Sequence, residues 1–191
     1  MKIICIGRNY VNHAKELGNA IPSEPVFFLK PDTAISPKGH PFFIPDFTSN
    51  VHYEVELIIK INRLGKHIEE GFAYKYYQEI GLGIDFTARD VQEEVKAKGL
   101  PWEKAKGFDG SAIISRSFIP KEELDINNIN FKLEKNGDNV QVGNSKDMLF
   151  NFDKIIAYIS QFYTLKIGDL IYTGTPPGVG ENMKPPVFLK G

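Results

Sequence analysis

The sequence predicts a β-rich α+β fold, and three observations carry that reading. Residues 51–62, VHYEVELIIKIN, alternate with a period of two: Tyr53, Val55, Leu57, Ile59 and Ile61 on one side, Glu54 and Glu56 on the other. This is the pattern of a strand with one face in a core. Asn136-Gly137 stands between two alternating segments in INFKLEKNGDNVQVG, the strongest short-range hairpin signal. Strand-like segments also outnumber helical ones along the chain and include hairpins, which favours α+β over alternating βαβ units.

The elements follow in order. KIICIG (2–7) is a short strand ended by Gly7. NHAKELG (12–18) is a short helix with Gly18 as its stop. PVFFLKP (25–31) is a strand between prolines, and PFFIPDF (41–47) reads as an edge strand, where prolines are tolerated. After the strand at 51–62, NRLGKHI (62–68) reads as its hairpin turn and FAYKYYQEI (72–80) as a helix. GLGIDFT (81–87) carries few charges and predicts a strand buried on both faces. ARDVQEEVKAKG (88–99) is amphipathic and helical, stopped by Gly99 and Pro101. FNFDKIIAYISQFY (150–163) is a helix with Ile155, Ile156, Ile159 and Phe162 as its apolar residues. DLIYTGTP (169–176) is a strand running into a Gly/Pro-rich loop. The stretch 21–47 is Pro-rich and more irregular, but no linker divides the chain, so 1–191 reads as one domain.

Composition narrows the function. The 191 residues are 42% hydrophobic and 25% charged, with net charge −1, which is ordinary globular usage. Twenty-three basic against 24 acidic residues, with no basic stripe, leave no electrostatic footprint for nucleic acid or an anionic membrane surface. No apolar run approaches the about 18 residues of a membrane helix, and residues 2–7 are too short for the core of a signal peptide. Cys5 is the single cysteine, which excludes an internal disulfide and fits a reducing compartment, the cytoplasm by default.

Two residue clusters suggest chemistry. Residues two apart on a strand lie about 6.5–7 Å apart and point the same way, so Glu54 and Glu56 repel unless a cation or protons intervene. A solvated strand face would also carry such residues. Asp85, however, sits in a stretch otherwise apolar from Leu82 to Phe86, and a carboxylate there needs a partner. That partner is Arg89, a turn cap, or an ion shared with Glu54 and Glu56. Three carboxylates without clustered Cys or His describe a hard-cation site, Mg²⁺ or Mn²⁺. His52, on the glutamates' face, keeps a transition-metal site open. No loop offers the closely spaced ligands of a Ca²⁺ cage. The second cluster is His13 and Glu16, three apart on a short helix, where their side chains meet. A carboxylate beside an imidazole prepares a general base; a surface ion pair has the same spacing. TGTPPGVG (173–180) lacks the lysine and spacing of a phosphate loop, and GLG is no dinucleotide fingerprint. Thr175, beside Gly174, could present a hydroxyl and a backbone N–H to a carboxylate or oxyanion. Lys106 is anonymous by spacing.

Six segments, GRNYVNHAKE, PVFFLKP, HYEVEL, GIDFTARDVQ, PWEKAKGFD and IGDLIYTGTPPGVG, occur here in an order that resembles the fumarylacetoacetate hydrolase superfamily. The likeness is closest to its small single-domain, acylpyruvase-like members and covers nearly the whole chain. It implies a mixed β-sandwich or roll with a few short helices, a homodimer, and a Mg²⁺- or Mn²⁺-dependent site. It assigns Glu54, Glu56 and Asp85 to the metal, and His13 with Glu16, on a lid helix near 11–18, to water activation. Lys106, Arg89, Gln92 and Thr175 match positions that contact substrate or stabilise an oxyanion. The implied reaction is hydrolysis of a C–C bond in a β-diketo acid such as an acylpyruvate, through a metal-stabilised enolate. The alternatives share that enolate: isomerisation or hydration of an unsaturated 2-oxo dioate, or tautomerisation or decarboxylation of oxaloacetate. A non-enzymatic, metal-stabilised module is the remaining alternative. The resemblance further implies strands beyond VFLKG (187–191), so the chain reads as truncated or as lacking the family's last strands.

Overall fold

The computed structural model describes residues 1–180 except Leu17 and Asn19, together with the backbone of residues 189–190. The strands are β1 (Ile3–Gly7), β2 (Val26–Lys30), β3 (Val51–His52), β4 (Val55–Ile61), β5 (Tyr77–Asp85), β6 (Thr87–Ala88), β7 (Ala112–Ile114), β8 (Ile119–Pro120), β9 (Asn130–Lys135), β10 (Asp138–Asn144), β11 (Leu170–Tyr172) and β12 (Leu189–Lys190). The helices are α1 (Val11–Glu16), α2 (Glu70–Ala73), α3 (Arg89–Ala97), α4 (Glu103–Lys106) and α5 (Phe152–Phe162).

Among the described residues the main sheet runs β2-β1-β11-β4-β5-β7, with β8 pairing β5 at the far end. The β1–β11 pair is parallel and its neighbours antiparallel. A second sheet runs β10-β9-β12, and β3 pairs with β6 in a short ribbon. The result is the strand-rich α+β architecture that the alternation predicts.

Strand β4 shows why. Val55, Leu57, Ile59 and Ile61 enter the larger core, together with Phe131 and Leu133 of β9 and Ile155, Ile156 and Ile159 of α5. Ile58 points the other way, into a second cluster with Ile3, Cys5, Leu170 and Tyr172. Both faces of the main sheet are therefore covered at this strand. The β9–β10 hairpin turns at Asn136-Gly137, both at positive φ (55° and 97°), as a type I′ turn requires.

Four local readings are corrected. Residues 41–47 form no strand. Their aromatics pack instead: Phe42 stacks on Phe86 at 4.0 Å and Phe47 meets Phe108 edge-on at 5.5 Å. Residues 62–68 are not a tight hairpin turn; β4 and β5 pair, but α2 and a 3-10 turn at Tyr74–Tyr76 intervene. The helix predicted over 72–80 gives way to β5 from Tyr77, because that segment completes the ladder opposite β4. The strand at 51–62 is broken at Tyr53–Glu54 into β3 and β4. The short helix expected near 11–18 is found at Val11–Glu16, and Gly18 takes positive φ (63°) as a helix stop does. Of the segment 187–191, the described residues 189–190 pair as β12 with β9; the rest lies outside the described residues. No helix among the described residues is long and apolar enough to cross a membrane.

Candidate metal and catalytic site

The β4–β5 ladder builds the site. Val55 pairs with Ile84 and Glu56 with Gly83, and the Asp85 N–H donates to the Glu54 carbonyl at 2.9 Å. Continuing that register sets Glu54 opposite Asp85, with Glu56 one step along the same face. Glu54, Glu56 and Asp85 each offer an oxygen, and these oxygens lie within 4.8 Å of one another. All three side chains are buried.

Burying three carboxylates requires compensation, and three cations supply it. Lys106, ending α4, reaches Glu54 Oε2 and Asp85 Oδ2, each at 2.8 Å, and Thr87 Oγ1 at 2.5 Å. Thr87 donates in turn to Glu54 Oε1 at 3.0 Å. Arg89, opening α3, pairs with Glu54 Oε1 at 2.5 Å. Lys30, at the end of β2, lies 2.8 Å from Asp85 Oδ1 and donates to Ser111 Oγ at 2.9 Å, to the Ser111 and Phe86 carbonyls at 3.2 and 3.3 Å, and to the Lys106 carbonyl. Asp85 is thus held by two lysines; Arg89, the partner that spacing offered, serves Glu54 instead.

Glu56 is the exception. Its short contact is the Gly174 N–H, 2.7 Å from Oε2. Gly174 sits at φ 98°, and a Cβ there would lie 2.7 Å from Asn9 Cβ, so this approach needs glycine. Burial raises the Glu56 carboxyl well above its ordinary pKa, and the charges of Asp85 and Glu54 add to that. Burial also opposes ionisation of Glu54, but Lys106 and Arg89 outweigh it and hold that carboxyl below the usual range. For Lys106, burial disfavours the ammonium, yet Asp85 and Glu54 prevail and raise its pKa. The site therefore contains one buried carboxylate without a cation, beside a buried Asp85 Oδ1 that forms no aligned hydrogen bond. An all-oxygen donor set in which one carboxyl has no cation of its own fits a hard divalent cation.

His52 is not part of this cluster. It is buried, and its Nδ1 lies 3.3 Å from Arg89 Nε. Burial and the Arg89 charge lower its pKa to about 4, so it braces Arg89 as a neutral ring.

His13, on α1, is buried and lines the same cleft as the three carboxylates. Its Nδ1 lies 3.2 Å from Glu16 Oε2. The other oxygen, Glu16 Oε1, accepts from the Gly178 N–H at 3.0 Å, tying α1 to the loop after β11. Arg89, Gln92, Lys106 and Thr175 also line the cleft. The Gln92 side-chain oxygen accepts from Arg89 at 2.5 Å. The Thr175 hydroxyl donates to the Val55 carbonyl at 2.9 Å and accepts from Gln141 at 2.9 Å, so in this arrangement its proton is engaged by the scaffold. Of the nine candidate residues, eight line one cleft, and Glu16 stands behind His13. Sequence reasoning missed Lys30 and Thr87, and it offered a backbone N–H beside Thr175 without identifying Glu56 as the carboxylate that the Gly174 N–H serves. A signal existed for Lys30: a lysine closing the apolar strand VFFLK needs an acidic partner once buried.

Comparison with known proteins follows the same lines. Residues 2–191 match the family described as fumarylacetoacetate (FAA) hydrolase C-terminal. The chain is 46% identical over 179 residues to the bovine (Bos taurus) mitochondrial oxaloacetate tautomerase FAHD1, covering 93% of this chain and 80% of that protein. It is 47% identical over 191 residues to the mitochondrial oxaloacetate decarboxylase of Dictyostelium discoideum, covering 99% and 87%. The crystal structure of fumarylpyruvate hydrolase from Pseudomonas aeruginosa in complex with Mn²⁺ and pyruvate is similar with a TM-score of 0.91 at 33% identity, covering 99% of this chain and 83% of that one.

Proposed function

This chain belongs to the fumarylacetoacetate hydrolase C-terminal family, and from that premise we propose that it is a divalent-metal-dependent enzyme that enolises oxaloacetate, as a tautomerase or decarboxylase. The observation that carries the reading is the convergence of Glu54, Glu56 and Asp85, oxygens within 4.8 Å, in one cleft with His13. The relatives named as oxaloacetate tautomerase and decarboxylase, at 46% and 47% identity, favour oxaloacetate over the acylpyruvate that sequence motifs suggested first.

Glu54, Glu56 and Asp85 would hold Mg²⁺ or Mn²⁺. When bound, the ion supplies Lewis-acid polarisation of a 2-oxo acid. His13, oriented by Glu16, takes a proton from the carbon between the two carbonyl groups. The Lys106 ammonium, held above its ordinary pKa, stays charged and faces the negative charge that develops on the 2-oxo oxygen. Return of a proton to the carbon or to the oxygen completes tautomerisation. Arg89 and Gln92, hydrogen-bonded to each other, form the wall against which the substrate's proximal carboxylate is set. Thr175, anchored on Val55, shapes the opposite side.

A second reading is C–C hydrolysis of an acylpyruvate, with His13 activating water; likeness to a fumarylpyruvate hydrolase structure favours it. The same reading takes residues 1–191 as one catalytic domain and the protein as a homodimer, which its mass in solution checks. A reducing compartment suits Cys5, which is buried and free.

The test follows the enol absorbance of oxaloacetate, pyruvate release, and acetylpyruvate cleavage, with Mn²⁺ and after EDTA. Metal-dependent loss of enol should dominate, and His13→Ala should slow it by about 10²–10⁴-fold while Mn²⁺ binding persists. Undiminished turnover after chelation, or with His13→Ala, overturns the proposal.

A further inference from the structure

Arg89 is held at every nitrogen of its guanidinium. Nη2 donates to Glu54 Oε1 and Nη1 to the Gln92 side-chain oxygen, each at 2.5 Å, and Nε donates to His52 Nδ1 at 3.3 Å. Contacts at the two terminal nitrogens alone define a line, about which a planar group can still tilt. A third contact, at Nε, fixes the plane. Each terminal nitrogen then keeps a second N–H for another acceptor.

A strap of chain brings His52 to that place. β3 pairs antiparallel with β6, with His52 opposite Thr87, and the Arg89 N–H donates to the Asn50 carbonyl at 2.8 Å. Asp90, next along α3, accepts from Thr48 Oγ1 at 2.6 Å, from the Ser49 N–H at 2.9 Å and from Ser49 Oγ at 3.2 Å. Residues 48–52 are thus tied across the start of α3, and His52 and Arg89 share one mount.

The polar chemistry of the ring is given over to this contact. Arginine only donates, so Nδ1 is the acceptor and the ring proton sits on Nε2. His52 is 5% exposed, and its buried Nε2 has no hydrogen-bond partner among the described residues. An apolar side chain would fill the same volume without burying an unpaired donor. A carboxylate would accept from Nε more strongly, but it would add a negative charge beside Glu54 and compete with it for Arg89. A neutral acceptor avoids both costs. We propose that His52 is a positioning residue for substrate: its Nδ1 sets the plane of Arg89, so that the N–H groups left over by Glu54 and Gln92 face the carboxylate of a bound 2-oxo acid. This assignment rests on the proposed reading that such an acid lies in the cleft against Arg89.

Nitrogen-15 NMR of the Mg²⁺-loaded protein reads the contact without substrate. His52 should carry its proton on Nε2, and the Arg89 Nε–H should give a slowly exchanging signal. His52→Leu should abolish that signal and His52→Asn should keep it, because the asparagine oxygen, bonded to Cγ as Nδ1 is, takes the acceptor's place. Titration calorimetry with pyruvate on Mn²⁺-loaded protein reads the consequence. His52→Leu should weaken pyruvate by about tenfold and His52→Asn by less than about threefold. Mn²⁺ affinity within about threefold of wild type in both variants reports intact carboxylates. A proton on Nδ1, an Arg89 signal indifferent to His52→Leu, or an asparagine variant no better than leucine overturns the assignment, even where oxaloacetate is enolised. If the NMR and pyruvate patterns hold while oxaloacetate is not enolised, His52 keeps its role and the proposed reaction falls.

Discussion

Replacing Glu56 by glutamine should change stability in opposite directions with and without metal. Glu56 is 1% exposed, and its carboxylate has the Gly174 N–H at 2.7 Å but no cation. Two unit charges 4.8 Å apart repel by about 3.5 kcal/mol at an effective dielectric of about 20, and Glu56 faces two such neighbours. The protein relieves that repulsion by taking up a proton, which costs less than the full Coulomb sum, so removing the charge should stabilise the metal-free form by about 1–3 kcal/mol at about pH 8. The glutamine oxygen keeps the Gly174 N–H satisfied. For a chain of this length that corresponds to a Tm about 2–12 °C higher. Metal reverses the order. At about one hundred times Kd, a bound ion contributes about 2.7 kcal/mol, or about 5–11 °C in wild type, and Glu56→Gln should lose nearly all of that shift. Differential scanning fluorimetry after EDTA and with Mn²⁺ reads both effects. A metal-free variant that melts below wild type, or one that keeps the full Mn²⁺ shift, refutes the view of Glu56 as the uncompensated member of an ion site.

Two further outcomes test the scaffold. Lys30→Met leaves Asp85 with one cation instead of two and strips a donor from the Phe86, Ser111 and Lys106 carbonyls; urea unfolding should show a loss of about 3–5 kcal/mol, and a loss under about 1 kcal/mol contradicts the charge ledger of the site. Asp169 accepts from the Lys2 and Lys166 N–H groups, each at 2.8 Å, and pairs with Lys2 Nζ at 2.5 Å. Burial opposes its ionisation, but the Lys2 and Lys166 bonds prevail and hold its carboxyl below the ordinary 3.8. Its contribution is therefore present above that value and lost as pH falls through the depressed one. Asp169→Asn should cost about 1–3 kcal/mol near neutral pH, with the difference from wild type shrinking in acid; a difference that stays constant down to about pH 3 speaks against the ion pair.

What the sequence by itself determined is everything that depends on spacing within a few residues. A period of two in 51–62 marks β4 and sends Glu54 and Glu56 to one face. Asn136-Gly137 fixes a hairpin, and a step of three positions from His13 to Glu16 lets an imidazole meet a carboxylate. These are short-range consequences of backbone geometry, so the chain states them locally. The tertiary structure decided what each local feature faces. It set Glu54 opposite Asp85, gave Asp85 to Lys30 and Lys106 and Arg89 to Glu54, and left Glu56 without a cation. It took the apolar residues 41–47 into ring packing and drew Tyr77 into a strand, because a ladder partner on β4 outweighs local helical pattern. Charge pairing and strand partnership are contacts between distant segments, and their energies depend on which groups come to share a buried volume, which no local period encodes.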